Sequence, residues 1–376
     1  MTTSGAPLGG KDKIAGTMSI VTGGASGIGL TIATELLRRG GNVALVDLRE
    51  SPAAKALIEQ YGEDRVVFVR NDVSIANPEA KKVREYGLTL KQGRLFKELA
   101  ELKSANVGDD DNRVKTLRAE VERTEATLKD MPPSVEEAMT EIMKSKPVQH
   151  CNGRVDFLIN NAGIQIQKPF EAQTPDDFNL LMGINYFGKV NWARAALPEI
   201  RKHGGHVINT SSVHGHVGSD ERTPYTSAMH ATIAFTKSLA ADEAKYGVQV
   251  HSISPAFIDT PLAEGPLRTM VAAGKFPGAT PDEQMKAAVA WRLQYQGGEW
   301  IKMDDVQAAY MGLLDGTVKL ETGADMHGPQ LTRGYIDQAR QRNGAGGIAI
   351  FERGAQTAVT GLNHKVLDAG VATPPI

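Results

Sequence analysis

One cysteine, Cys151, is present in 376 residues. A single thiol excludes any internal disulfide framework, is compatible with a reducing compartment and reads as an inert small side chain. The N-terminus has no sustained apolar core of the kind that targets a chain for secretion, and no later stretch is long enough to span a bilayer. The expected location is therefore cytoplasmic. Charge is almost balanced, at −2, which argues against nucleic acid as the main partner. What remains is an ordinary apolar content of 41% with mixed charges, in a chain longer than one minimal nucleotide-binding domain.

Within that composition the segment TGGASGIG, residues 22–29, joins an apolar run to a helical pattern starting near Ile28. Gly23, Gly27 and Gly29 allow a sharp turn, a close approach to a pyrophosphate and tight packing of helix on strand. Ser26 and Ile28 lie where the helix N-terminus offers free N–H groups and positive dipole. The next apolar run, 42–46, ends in Asp47, at the spacing where a carboxylate meets an adenosine ribose. That carboxylate would repel a 2′-phosphate, and no Lys or Arg lies within the glycine turn, so the expected cofactor is NAD, although Arg49 is close by.

Apolar strand-like runs at 19–22, 42–47, 66–71, 155–160, 206–209 and 249–254 alternate with helical patterns, and a short last strand is expected at 323–327. Repeated strand–helix units predict an α/β, doubly wound parallel sheet, a Rossmann fold, whose ligands sit beyond the carboxyl ends of the strands. The domain is expected over 15–332, with a C-terminal extension over 333–376. It is interrupted at 78–147 by a charged segment where one crossover helix would suffice. There Leu95, Leu99 and Leu102, then Val114, Leu117, Val121, Thr124 and Leu128, recur at three- and four-residue steps. They predict a helical hairpin, with a polar loop at 104–112 and a break at Met131-Pro132-Pro133. Whether it packs on its own domain or on another subunit stays open.

Over 15–75 and 150–330 the chain resembles the short-chain dehydrogenase/reductase family. TGGASGIG is similar to that family's cofactor turn, Asp72-Val73 to the pair that holds adenine, and Asn161-Ala162-Gly163, following Asn160, to its NNAG motif. Asn185 falls where the family keeps an asparagine that holds a catalytic water. Ser212 and Tyr225 match the catalytic serine and tyrosine, and 254–260, with Pro255, Ile258 and Thr260, resembles the segment that contacts the nicotinamide carboxamide. The resemblance implies an NAD(H)-dependent oxidoreductase that interconverts a secondary alcohol and a ketone and assembles as a homodimer or homotetramer. Hydride transfer develops negative charge on the carbonyl oxygen, so Tyr225 would act as acid or base and Ser212 as a second donor. Ser211 has the poorer spacing.

One departure matters. Four residues after the tyrosine the family keeps a lysine, and here Met229 stands, one helical turn from Tyr225 and on the same face. Neither Lys237 nor His230 is an obvious replacement. The chain is therefore expected to be an impaired dehydrogenase, whether Met229 is engineered or natural; the alternatives are non-redox work on a bound cofactor, as in a cyclase or isomerase, and a catalytically silent NAD-binding protein. Ala256 in place of the usual glycine is a second departure. The substrate is expected near Gln165, Gln167, His214, His216 and Trp291, with Tyr295 and Trp300 able to join an aromatic lid. His214 and His216 lack a third ligand, so no metal is expected.

Overall fold

A computed structural model describes residues 13–293, 300–318, 320 and the backbone of 325–326. The 333–376 extension and Tyr295 lie outside the described residues. Among the described residues seven strands, β1 (Met18–Thr22), β2 (Asn42–Asp47), β3 (Val66–Arg70), β4 (Phe157–Asn160), β5 (His206–Thr210), β6 (Gln249–Ile253) and β7 (Asp325–Met326), form one sheet. Their order is β3-β2-β1-β4-β5-β6-β7, and every pairing is parallel. The chain moves outward in one direction from β1 to β3 and in the other from β4 to β7, so a crevice opens between the ends of β1 and β4. Register aligns Thr22 with Val46 and Asn160, and Asn160 with Asn209, bringing the motif residues to one edge.

Twelve helices among the described residues connect and cover the strands: α1 (Gly27–Arg38), α2 (Pro52–Tyr61), α3 (Pro78–Ser104), α4 (Asn112–Lys129), α5 (Val135–Lys144), α6 (Lys146–His150), α7 (Pro175–Met182), α8 (Gly188–Ile200), α9 (Thr223–Glu243), α10 (Pro261–Ala272), α11 (Pro281–Leu293) and α12 (Met303–Asp315). On one face Ile32 and Leu36 of α1, Leu57 of α2 and Tyr310 of α12 pack on Val21, Leu45 and Ile208. On the other, Ile142 of α5, Trp192 and Ala196 of α8 and Ala240 of α9 pack on Ile20, Ala44 and Leu158. Successive strand residues thus serve opposite layers, and both are buried, so the strands read as continuous apolar runs. Trp192 is fully buried, and its Nε1 donates to Asn71 Oδ1 at 3.1 Å, satisfying the polar end of a large apolar side chain. None of the described helices is long and apolar enough to cross a membrane.

Between β3 and β4, α3 and α4 lie against each other through Leu95, Leu117 and Val121, flanked by Leu99 and Leu102. Lys91 pairs with Glu120 at 2.6 Å. Arg70 of β3 holds Asp130, just past α4, at 2.5 Å. The chain then breaks at the two prolines and restarts at α5, where Ser134 and Glu137 form a reciprocal cap. Helix α5 belongs to the core rather than to the arm: Val135, Ala138 and Ile142 are buried in the layer beneath β3 and β4.

Candidate active site

The glycine turn is shaped by close approach. Gly23 has φ +65°, and a Cβ there would stand 3.0 Å from both Ala162 Cα and Asn161 Nδ2; at Gly29 a Cβ would collide with the Gly23 carbonyl oxygen. Only hydrogen at these positions lets α1 begin directly under the end of β1. Ser26, the extended residue before α1, makes no side-chain cap bond. Asp47 closes this end of the cleft: its Oδ2 accepts from Ala25 N at 3.2 Å and its Oδ1 from Leu48 N at 2.8 Å. Asp72 is engaged by Ser74 N at 2.9 Å, Ser74 Oγ at 2.6 Å and Arg84 Nη1 at 2.7 Å. Arg84 comes from α3, so the inserted arm touches this end of the cleft, a contact that the spacing of its leucines did not signal.

A polar network fixes the strand ends at the crevice. The Thr22 hydroxyl accepts from Asn161 N at 3.0 Å and Ala162 N at 3.1 Å. Asn160 Nδ2 donates to Asn209 Oδ1 at 3.0 Å, and Asn209 Nδ2 to Thr236 Oγ1 at 2.9 Å. Asn209 and Thr236 were not singled out in the sequence, since nothing local marks them. On the far side Val213 N donates to Pro255 O at 3.1 Å, and Thr260 lies over the turn with its Cγ2 at 3.8 Å from the Cβ position of Gly27.

At the other end, helices α8 and α9 and the end of β5 converge. The two serines make different bonds: Ser211 Oγ donates to Met229 O at 3.1 Å and Ser212 Oγ accepts from His214 N at 3.3 Å, and both residues line the cleft with Tyr225. Tyr225 is buried among Leu181, Ala228 and Met229. Burial pushes its hydroxyl above the ordinary range, opposed by the Ser212 hydroxyl and by the charge of Arg222. Asn185 sits in a π-turn, Gly183–Phe187, between α7 and α8, a widened turn that displaces side chains from the α-helical pattern. Its amide makes a reciprocal pair of bonds with one residue: Oδ1 accepts from Ile164 N at 2.8 Å and Nδ2 donates to Ile164 O at 2.9 Å.

Lys189, one turn beyond Asn185, was missed in the sequence. It is 3% exposed, and its Nζ donates to Asn185 O at 2.6 Å and Ala162 O at 3.3 Å. Burial alone pushes its amine down to about 7. The available signal was the four-residue step from Asn185, which places both on one helix face. Lys237 is exposed and His230 Nδ1 meets Thr226 O at 2.9 Å; neither lines the cleft.

The structure brings all the proposed cofactor contacts to one cleft except Gly29, which supports the turn from behind, and it adds Gln165 and His214. Gln165 Nε2 is buried with no hydrogen-bond partner among the described residues. His214 is no solvated loop histidine: it is 1% exposed, its Nε2 meets Arg222 Nη1 at 3.3 Å, and its ring stands edge-on to Tyr225 and Phe257. Burial, with Arg222 and Arg292 adding repulsion, holds it well below the ordinary histidine range and therefore neutral. Gln167 is a bridge, its Oε1 accepting from Arg222 at 2.7 Å and Arg292 at 3.1 Å. Trp291 is a correction: it packs against Phe276, with ring centroids 5.7 Å apart, and is not part of the cleft wall.

The model of the short chain dehydrogenase family matches residues 17–86 and 95–269, and the chain belongs to that family. It is 28% identical over 311 residues to a D-beta-hydroxybutyrate dehydrogenase of Cupriavidus necator, covering 82% of this chain and 95% of the relative. A bovine L-fucose dehydrogenase is 42% identical over 113 residues, 30% of this chain and 42% of the relative. The fold is shared with the Thermoplasma acidophilum aldohexose dehydrogenase, at a TM-score of 0.57 and 20% identity, with 84% and 94% of the two chains covered. The protein is an oxidoreductase of the CH–OH class, in a family that uses nicotinamide cofactors.

Proposed function

We propose that this protein is an NAD(H)-dependent dehydrogenase interconverting a secondary alcohol and a ketone, with Tyr225 as the proton-transferring group and Ser212 as the second donor to the substrate oxygen. The observation that carries the reading is the pairing of the Tyr225 and Ser212 hydroxyls in one cleft with a glycine turn and Asp47 at its other end. The cradle fits a dinucleotide: hydrogen-only positions lie where a pyrophosphate would need the backbone, and the Asp47 carboxylate, held by two backbone N–H groups, stands ready for a ribose diol. Bound there, the nicotinamide would supply or take the hydride. Tyr225 keeps its proton at neutral pH, so in the reducing direction it donates to the carbonyl oxygen as charge develops, with Ser212 orienting that oxygen. Asn185, through both bonds to Ile164, fixes the loop beside the reacting centre. Gln165 and the His214–Phe257 wall face the substrate.

The expected assembly is a homodimer or homotetramer in the cytoplasm. Residue 229 offers no proton-transfer group, and this favours a second reading, a cofactor-bound non-redox enzyme or a silent NAD-binding protein. Fluorescence titration with NADH and NADPH, followed by a screen of NAD-linked oxidation starting with D-3-hydroxybutyrate and L-fucose, separates the readings. NADH binding with turnover that Tyr225→Phe abolishes supports the dehydrogenase. Tight NADH binding with no turnover of any secondary alcohol or ketone supports the second reading.

A further inference from the structure

We propose that the outer face of helix α3 is a surface on which two copies of this chain meet, the two helices running antiparallel about a two-fold axis beside Tyr86; this rests on the self-association expected above and not on the activity. Helix α3 is 27 residues long, and it carries two apolar stripes. Leu95, Leu99 and Leu102 turn inward onto α4. On the opposite side, at steps of three and four residues, Val83, Tyr86 and Leu90 are 72%, 67% and 51% exposed. A surface helix ordinarily needs one such stripe to hold it on its domain. The second is a row of large side chains on one face, not the scattered single exposure that surfaces normally show.

Two further features point to a second α3 as the occupant. Gly87 and Gly93 stand on the exposed side of the helix, either side of Leu90, at positions where glycine weakens a helix. A Cβ at either would meet nothing within 4 Å, so the packing of the chain on itself does not require them; hydrogen there lets another backbone come close. The ends of the face also carry opposite charge. Glu79 lies one turn before Val83 and Arg94 one turn after Leu90; both are exposed, and neither makes an ion pair among the described residues. An antiparallel pairing centred between Tyr86 and Gly87 sets Val83 of each copy against Leu90 of the other, seats the Tyr86 ring on Gly87 and brings Glu79 onto Arg94 at both ends. A parallel pairing would stack like charges. The stretch between the two segments matched to the family, 87–94, holds both glycines, Leu90 and Arg94, so this face belongs to the chain's own arm and not to the shared core. Four turns of one helix cover less than the roughly 800 Å² per partner of a standard interface, and the contact should therefore loosen on dilution.

Sedimentation equilibrium of the full chain over a wide range of concentration reads the assembly, and thermal melts of the dilute protein read the fold. Leu90→Asp should halve the assembled mass with the melting temperature unchanged. Gly87→Ala should raise the melting temperature, because alanine favours a helix, and yet weaken association about tenfold by crowding the Tyr86 ring. Arg94→Glu should also weaken it about tenfold, and Glu79→Lys added to Arg94→Glu should restore it, which a misfolded variant could not do. Cross-linking fixes the direction. Glu79→Cys mixed with Arg94→Cys should form a disulfide under copper–phenanthroline, whereas Arg94→Cys alone should not, since its two copies would stand about 22 Å apart along the helices. A chain that stays a single copy at every concentration overturns both the proposal and the expected self-association. An assembly whose mass Leu90→Asp leaves unchanged overturns the proposal alone, and Arg94→Cys joined to itself overturns the antiparallel pairing.

Discussion

At the glycine-turn end of the cleft the groups on offer are backbone N–H donors and carboxylates held by neighbouring residues, whereas at the reacting end each polar side chain arrives from a different strand or helix. The first end is set by local backbone geometry. The second is set by packing, and its titratable groups are displaced by burial: Tyr225 upward, His214 and Lys189 downward. Anchoring a dinucleotide needs shape and a dipole, while moving a proton needs groups whose ionisation is tuned by what surrounds them. On the proposed reading the first need would fall to the glycine turn with Asp47 and Asp72, and the second to residues spread from 162 to 229.

The comparison is broken most severely through Lys189. Its amine sits at about 7 when folded, against the ordinary 10.5, so between those values the unfolded chain holds the extra proton. Folding stability should therefore rise with pH from about 7 to 10.5 and be penalised below that window, by at most about 5 kcal/mol for the full gap. Urea unfolding across this range should show the slope in the natural chain and lose it in Lys189→Met. Parallel curves for the two proteins would mean that Lys189 is hydrated rather than buried. Next in size, Tyr225→Phe should lower turnover about a thousandfold, the scale of a general acid, with NADH affinity held within about twofold. A matching loss of affinity would show that the two ends are not separable.

Smaller effects sharpen the other end. Asp47→Ser should shift the NADH over NADPH preference by about thirty- to a hundredfold toward NADPH, as a charged hydrogen-bonding group worth about 2–3 kcal/mol is removed; NADPH binding as tightly as NADH in the unaltered chain would assign that role to Arg49 instead. The smallest change is expected from the arm. Replacing residues 90–125 by a short linker retains Arg84 and its bond to Asp72 and should leave NADH affinity within about threefold, while solution mass reports whether α3 and α4 touch a second copy. A large loss of affinity would show that the arm props the adenine end through Asp72.

The strands and the glycine turn were legible because each is a contiguous pattern: apolar runs buried on both faces and hydrogen-only positions at a strand end. The arm was legible for the same reason, since leucines at helical spacing need a partner helix. Arg84, Asn209 and Thr236 were not, because their meaning lies in partners 12, 49 and 27 residues away. Trp291 could be read from sequence as a lid or as packing, because an aromatic residue's identity does not say which neighbour it meets; in the fold it meets Phe276.

Met229 shows where the two kinds of information divide. The sequence by itself determined that no amine stands one turn after Tyr225, since helical periodicity fixes which residue follows on that face. Only the tertiary structure decided where the buried amine of Lys189 sits: the π-turn at Gly183–Phe187 and the packing of α8 on α9 place its Nζ on Asn185 O, with Thr232 of α9 on the same oxygen. A side chain's chemistry is written in its own residue, but its proton affinity and its neighbours belong to the fold, because burial and hydrogen bonding are properties of the assembled layers.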